Sequence, residues 1–478
     1  MHEQGDHAVN ELSLPHAGTA PRLLAACLAL AAGPALAAGF QINETSASGL
    51  GNAYAGGAAA AEDAATLWSN AAGISRVGAM QVVGAVHLIT PSIKFRNGLS
   101  APATQQPLGG DGGDAGGLNV VPTVYVVWPV NAQWTLGLGV NAPFGLVTDY
   151  DQGWIGRFQA DKSDIKTINL NPTAAYKLTS SVALGVGLNL QTIDATFTNQ
   201  ANYSAALLSA AAANGIAPGS STYNAIAAAT PGLESGVEVR GDDRAFGWNV
   251  GVLWEIDKNR RFGAHYRSAI RYDVAGDVRF THPTPSVAPG LAPTVALLVA
   301  GVNTTALYDS GVTAKVKLPP IANLSYFQSI DSRWDVMADA QWTGWSTIKD
   351  LTFVRSDGTT LQSTPENFKD TWKLALGVNY RVDGQWLLRG GLALDQSPVD
   401  QVDRTPRLPD NDRAWLTAGV QWRPQPRLLL DVGAAYVKVD KASINKSGDP
   451  PSVLAYGLLN GSYKSHTTIV SAQLAYSF

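Results

Sequence analysis

From Phe246 to Ile256 every second residue is large and apolar (Phe246, Trp248, Val250, Val252, Trp254, Ile256), and the residues between are Gly247, Asn249, Gly251, Leu253 and Glu255. Side chains of an extended strand point alternately to its two faces, so this stretch reads as a strand with one greasy face and one mostly small or polar face. The period returns in Phe262, Ala264, Tyr266, Ser268, Ile270, Tyr272 and Val274, and again in Trp372, Leu374, Leu376, Val378 and Tyr380. A chain built from such strands must close its sheet or cover it.

The spacing of the breaks says which. Short polar turns fall at 130–133, 178–181, 257–259, 330–332, 382–384 and 424–426, whereas the opposite strand ends are joined by long segments near 145–164, 198–235, 281–310, 354–365, 397–410 and 441–463. Short turns on one side and long loops on the other are the asymmetry of an outer-membrane barrel. About fourteen strands are expected, starting near Met80, Leu118, Trp134, Ile165, Val182, Val237, Arg261, Gly311, Trp334, Asn367, Gln385, Arg413, Leu428 and Lys464. Charged residues make up only 15% of the chain, below the roughly 25% of soluble proteins. Past the N-terminal segment no apolar run reaches the roughly 20 residues of a membrane helix, so a spanning fold has to be a closed barrel. Trp128, Trp134, Trp254, Trp334, Trp386 and Trp422 cluster near strand ends, which predicts girdles at the two lipid interfaces. The chain ends Val470, Ala472, Leu474, Tyr476, Phe478 in the same alternation, and bacterial outer-membrane barrels share such an ending. Phe478 is therefore expected to be read by the barrel-insertion machinery.

Ahead of the strands, Arg22 precedes an apolar run and Ala35-Leu36-Ala37, which predicts a secretory signal over 1–37 with an atypical N-terminal extension. Cys27 falls inside it and is expected to leave with it. The segment 38–78 is too rich in Gly, Ala, Ser and Asn for a core of its own, and the barrel of 79–478 is a container for it. The net charge of −4 comes without an acidic or basic run, which argues against a nucleic-acid partner. There is no G-x-S-x-G or H-E-x-x-H, and His87, His265, His282 and His466 are scattered. No catalytic, metal or cofactor site is expected.

With the strands placed, the chain resembles the FadL family of outer-membrane transporters for long-chain fatty acids and other hydrophobic compounds. The likeness is carried by Gly39-Phe40-Gln41-Ile42-Asn43-Glu44, Ser48-Gly49-Leu50-Gly51-Asn52-Ala53-Tyr54-Ala55-Gly56, Glu62-Asp63-Ala64 and Asn70-Ala71-Ala72-Gly73. Further on it is carried by Gly247-Trp248-Asn249-Val250-Gly251, Tyr266-Arg267-Ser268, Ser397-Pro398-Val399, Leu408-Pro409-Asp410 and Asp412-Arg413. The resemblance implies a fourteen-stranded barrel in the outer membrane of a Gram-negative bacterium, plugged by an N-terminal hatch and surrounded by lipid and lipopolysaccharide. It places the gate of the hatch at Phe40, Asn70, Ala71, Ala72 and Gly73. Where the family has Asn-Pro-Ala this chain has Asn70-Ala71-Ala72, and alanine leaves φ freer and restores a backbone donor.

Asn141, Pro143, Phe144 and Gly145 interrupt the alternation of the third strand, as proline and glycine do at bulges and strand ends. The resemblance makes this break a lateral exit into the bilayer. Leu207 and Leu208, with Leu291, Val295, Leu297 and Leu298, stand in two long apolar loops; they either cover one another or collect ligand, and the resemblance favours collection. Trp342, Trp345 and Lys349, where the ninth strand leaves the membrane zone, are the expected pocket residues, with Lys349 facing a carboxylate or solvent. The carboxylate-binding basic residues of the family find no clean match here, and Asp194 lies in that neighbourhood. The expected function is passive, hatch-gated uptake of long-chain fatty acids or similar hydrophobic molecules. The alternatives are a channel for uncharged aromatic or aliphatic hydrocarbons, a general porin, and a structural or adhesion barrel.

Overall fold

The computed structural model describes residues 39–446 and 450–478, so the expected signal segment, its Cys27 and the first hatch residue, Ala38, lie outside the described residues. Among the described residues the strands form one closed antiparallel barrel of 14 wall positions. Eight positions are single strands: β1 (Gln81–Asn97), β2 (Asn119–Pro129), β5 (Lys162–Lys177), β6 (Val182–Asn202), β7 (Glu234–Glu255), β16 (Trp386–Asp395), β17 (Arg413–Gln425) and β20 (Leu459–Ser477). Six are built from two consecutive pieces. These are β3 (Trp134–Asn141) with β4 (Gly145–Asp149), β8 (Arg260–Arg267) with β9 (Ile270–Thr281), and β10 (Ser310–Leu318) with β11 (Ile321–Ser329). The others are β12 (Trp334–Thr343) with β13 (Asp350–Arg355), β14 (Thr360–Pro365) with β15 (Thr371–Arg381), and β18 (Leu428–Val439) with β19 (Ala442–Lys446). The barrel closes by pairing β1 with β20 from Gln81↔Ser477 to Asn97↔Gly461.

The alternation sets which way each face points. On β6, Leu184, Val186, Leu188 and Leu190 are exposed on the outside while Asn189 and Gln191 are buried inside. The periplasmic turns share a device: Asn131, Asp257, Asp331 and Asp383 each accept the backbone N–H groups two and three residues on, as with Asp331 from Arg333 at 2.7 Å and Trp334 at 2.9 Å. A side chain that mimics the next turn of backbone stops the strand there. The six strand-end tryptophans all lie on the outer face at this short-turn end, with Trp386 stacked on Trp422. They make one periplasmic girdle, not two, which corrects the expectation. The cause is positional: each of the six flanks a short turn.

The hatch fills the lumen through α1 (Ala47–Gly51), α2 (Gly57–Ala60), α3 (Thr66–Ser69) and a 3₁₀ turn at Ala71–Arg76. Its helices are too short to be stable alone; the wall holds them. Inward-facing glycines let the two backbones touch. A Cβ at Gly263 would meet the Ala58 carbonyl, one at Gly185 the backbone of Ala71 and Ala72, one at Gly391 that of Asn52, and one at Gly433 the Ala47 carbonyl. Buried charges tie the same body to the wall. Arg389 bridges Glu62 at 2.6 Å and Asp431 at 3.3 Å, Gln473 and Ser48 donate to Asp63 at 2.8 and 3.1 Å, and Arg261 donates to the Ala59 and Ala60 carbonyls at 2.9 Å. Buried charges persist only where they are paired in this way. Replacing Gly263 with leucine is expected to leave the barrel inserted but lift α2 off the wall. Ion conductance in planar bilayers should then rise above that of the native protein, and an unchanged conductance would contradict this seat.

Candidate functional site: a broken wall and two apolar chambers

The third wall position is interrupted between β3 and β4. Below the break β3 pairs with β2 from Val124↔Val140 to Pro129↔Thr135, and above it β4 pairs only with β5. Residues 119–123 of β2 are paired with β1 and have no strand on their other side. At membrane depth unpaired backbone groups are expensive, and two neighbours satisfy those of Pro143, Phe144 and Gly145. The Thr167 hydroxyl donates to the Phe144 carbonyl at 2.7 Å and accepts from the Phe144 N–H at 3.0 Å. The start of the hatch supplies the rest: Ile42 N–H donates to the Pro143 carbonyl at 2.9 Å, and Gly145 N–H donates to the Phe40 carbonyl at 3.0 Å. Gln41 thus stands opposite Phe144 as a one-residue antiparallel bridge. Just before it, Gly39 N–H donates to Asp410 at 2.9 Å and the Gly39 carbonyl accepts from Arg413 at 2.8 Å.

Two cavities flank this hatch strand. The first, of about 600 Å³, is lined by Gln41, Asn43 and Glu44 of the hatch and reaches Leu118, Val120, Pro122, Val140 and Ile168. Leu118 (64% exposed), Val120 (57%) and Ile168 (60%) lie on the lipid-facing outside, so this chamber passes through the wall beside β2. The second, of about 560 Å³, lies among β5, β6, β7, β9, β10 and β13, with Ile193, Phe197, Tyr272, Val312, Phe353 and Phe368 among its lining residues. Phe40, Leu146, Ile165 and Leu408 line both chambers. Phe40 is held edge-on by Trp345 at 4.9 Å and Phe144 at 5.9 Å, with Trp345 backed by Phe368 at 6.0 Å. Aromatic pairs at these separations favour such tilted contacts.

The expected gate residues are all buried in the hatch. Asn70 is the most heavily used: its Nδ2 donates to the Ala58 carbonyl at 2.7 Å and to the Val252 carbonyl of β7 at 2.9 Å, while its Oδ1 accepts from Ala72 N–H at 3.0 Å. Ala71, Ala72 and Gly73 form the first turn of the 3₁₀ segment that follows. Without the proline, the turn is held by this asparagine. Asn141, Pro143 and Phe144 are buried at the break, and Asn141 and Phe144 line the first chamber.

The expected pocket and catchment residues divide. Lys349 lines the second chamber and is exposed. Trp345 is fully buried behind Phe40. Trp342 is corrected: it stands on the outward-facing side of β12, opposite Trp372, because Gln341 and Thr343 take the inward positions. In the loops, α4 (Tyr203–Ala213), α5 (Ser221–Ala229) and α6 (Ala292–Thr305) pack into a separate small core. Leu207, Leu208, Val295 and Leu298 are buried in that core and Leu291 packs against it, so these loops do cover one another; Leu297 stays 68% exposed. Sequence reasoning missed Thr167 at the break and Arg407 on the lining of the second chamber. Ile42, Asp410 and Arg413 were visible only as parts of a family motif without a role.

A closed antiparallel barrel with an apolar outer band, a plugged lumen and two apolar chambers, one of which reaches the bilayer, is an outer-membrane transport barrel. Residues 28–478 match the family described as outer membrane protein transport protein (OMPP1/FadL/TodX), and the chain belongs to this family. It is 31% identical over 428 residues to the long-chain fatty acid transport protein of Escherichia coli O6:H1, covering 88% of this chain and 92% of that one. It is 32% identical over 448 residues to the 47 kDa outer membrane protein of Pasteurella multocida, covering 91% and 96%. A solved FadL homologue of Pseudomonas aeruginosa superposes with a TM-score of 0.80 at 25% identity, over 92% of this chain and 100% of that one. The toluene transporter TbuX of Ralstonia pickettii gives 0.58 at 17% identity, over 89% and 96%, a likeness of fold alone.

Replacing Asn70 with alanine leaves the Ala58 and Val252 carbonyls without their buried donor, a loss of about 1–3 kcal/mol. Amide hydrogen exchange in residues 58–76 should accelerate roughly 5- to 150-fold while the wall strands stay protected. Unchanged exchange in the hatch would remove Asn70 from this role.

Proposed function

We propose that this protein carries long-chain fatty acids or similar hydrophobic molecules passively through the outer membrane, from the outer chamber past Phe40 into the chamber beside β2, and out sideways into the bilayer. The observation that carries the reading is the shared partition. Two apolar chambers meet at Phe40, and the first of them, beside β2, ends among lipid-facing side chains. Each methylene moved from water into an apolar site gains about 0.8 kcal/mol, and the chambers and the lipid interior supply that gain alike. Movement from chamber to lipid therefore needs no energy source, only a path.

The path is closed by the hatch strand, so Gln41 and Ile42 have to leave the break before ligand passes. Supporting the substrate class are the relatives named for long-chain fatty acid transport and the apolar lining of both chambers. The α4–α6 lobe serves as the outer catchment through its exposed residues, Leu297 first among them. Phe478, whose N–H donates to the Met80 carbonyl at 2.9 Å beside the β1–β20 seam, serves recognition by the insertion machinery. The reading contains no chemical step.

Deleting Pro143, Phe144 and Gly145 keeps the inward alternation, because Asn141 and Leu146 would then stand two positions apart as the pleat requires. The deletion should let the third position run straight and close the gap beside β2. Uptake of radiolabelled oleate by cells carrying the deletion is expected to fall at least tenfold, with the barrel still inserted. Native uptake would overturn the lateral route.

A further inference from the structure

On three neighbouring wall positions the apolar outer face ends in the same way. Moving away from the short turns, the outward residues of β20 pass from Val470 and Thr468 to Lys464, those of β1 from Leu88 and Thr90 to Lys94 and Arg96, and those of β18 from Val432 and Tyr436 to Lys438. All four basic side chains are exposed. Sheet pairing gathers them around Lys464. Lys94 is its direct cross-strand partner, with Cβ atoms about 4.5–5.5 Å apart, and Arg96 and Lys438 lie on its diagonals at about 7–8 Å.

Like charges directly opposite one another destabilise a sheet, and the nearby carboxylates do not cancel these. Asp114 lies 3.6 Å from Lys94, but its oxygens already accept from Ser92 Oγ and the Ile93 N–H at 2.7 Å. Asp440 lies 3.4 Å from Lys438. Arg96 and Lys464 have no carboxylate within ion-pair distance among the described residues. Elsewhere on the rim the cations are matched: Arg240 stands opposite Asp277, and Lys315 opposite Asp273. The patch therefore lacks an anion that the chain itself does not supply.

Depth says what kind of anion. From Tyr476, at the short-turn end of β20, to Lys464 is about 12 residues, or ~40 Å of strand and ~30 Å of height at a tilt of ~40°. An outer-membrane barrel has an apolar band about 25 Å tall, so the four cations stand just above it, level with the head groups of the outer leaflet. We propose that Lys94, Arg96, Lys438 and Lys464 bind the phosphates of one lipopolysaccharide molecule, whose acyl chains lie down the band along Leu88, Val432 and Val470. Lysine meets a phosphate as a point charge, and basic clusters at a membrane surface hold anionic head groups in this way. A free phosphate would meet the same cations but gain nothing from the band beneath them. β1 carries β2 on its other side, so the bound lipid borders the opening of the first chamber; the site itself does not depend on the route proposed above.

The test uses the whole mature protein in detergent, with a chelator present so that no divalent cation bridges acidic groups. The probes are lipid A carrying both phosphates, the same lipid with both removed, and inorganic phosphate. Native mass spectrometry should show the phosphorylated lipid retained on the barrel, and the phosphate-free lipid bound at least tenfold more weakly. The double variant Lys94→Gln, Lys464→Gln should lose about tenfold or more in affinity for the phosphorylated lipid. The double variant Arg240→Gln, Lys315→Gln, which removes the same charge from another part of the rim, should bind it as the native protein does. The substituted side chains are all exposed, so both variants should fold. A smaller loss in the first variant, a matching loss in the second, or equal binding of the phosphate-free lipid overturns the site. Displacement of the lipid by inorganic phosphate at the same concentration overturns the lipid as its occupant.

Discussion

The structure turns on two backbone hydrogen bonds between the start of the hatch and the break in the wall. A barrel in lipid cannot leave main-chain donors and acceptors unpaired at membrane depth, and a hole in its side would do so. Here Ile42 and Phe40 pair with Pro143 and Gly145, so the plug satisfies the backbone of the break, while residues 119–123 of β2 keep one side without a strand. The contact that seats the start of the hatch also caps the break. On the proposed route the break is capped while the hatch strand is in place and opens when that strand leaves.

The hatch divides into a body tied to the wall at many points and a short strand held at few. The body from α1 to the 3₁₀ turn touches wall glycines backbone to backbone, and its ties include Asp63, buried and accepting from Gln473 of β20, and Glu62, which pairs with the buried Arg389. Leaving a buried polar group without its partner costs about 1–3 kcal/mol, and more for a charged one. The strand at Phe40–Ile42 is held by a few hydrogen bonds, each worth roughly 0.5–1.5 kcal/mol net, and by the edge contacts of one phenylalanine. On the proposed route, ligand reaching Phe40 from the outer chamber competes with this weaker part.

Much of this was legible beforehand. The period of two fixed the strands, and several begin where the alternation predicted: Trp134, Val182, Trp334, Arg413 and Leu428. Pro143 and Gly145 marked the broken wall, since neither residue suits a central strand. The pairing of Gln41 with Phe144 was not legible, because a one-residue bridge leaves no period and its partners are far apart in sequence. The α4–α6 core was hidden for a related reason: runs such as Ala205–Ala206 and Ala210–Ala213 are apolar on every side, so the helical face that buries Leu207 and Leu208 does not stand out. Trp342 was misplaced by grouping it with Trp345 and Lys349 where the ninth strand leaves the membrane zone, although the end of β12 at Thr343 separates it from both. Lys94 and Lys464 carry no motif at all; only the folded chain brings them side by side.

A disulfide between the two strands tests the pairing most directly. Gln41 and Phe144 are opposed as a non-hydrogen-bonded antiparallel pair, the geometry in which Cα atoms come within about 4.5 Å and a disulfide can form without backbone movement. In a Gln41→Cys, Phe144→Cys variant, uptake of radiolabelled oleate should be lost under oxidising conditions and return when the bond is reduced. Full uptake through the crosslinked protein would contradict a gate that opens by release of this strand.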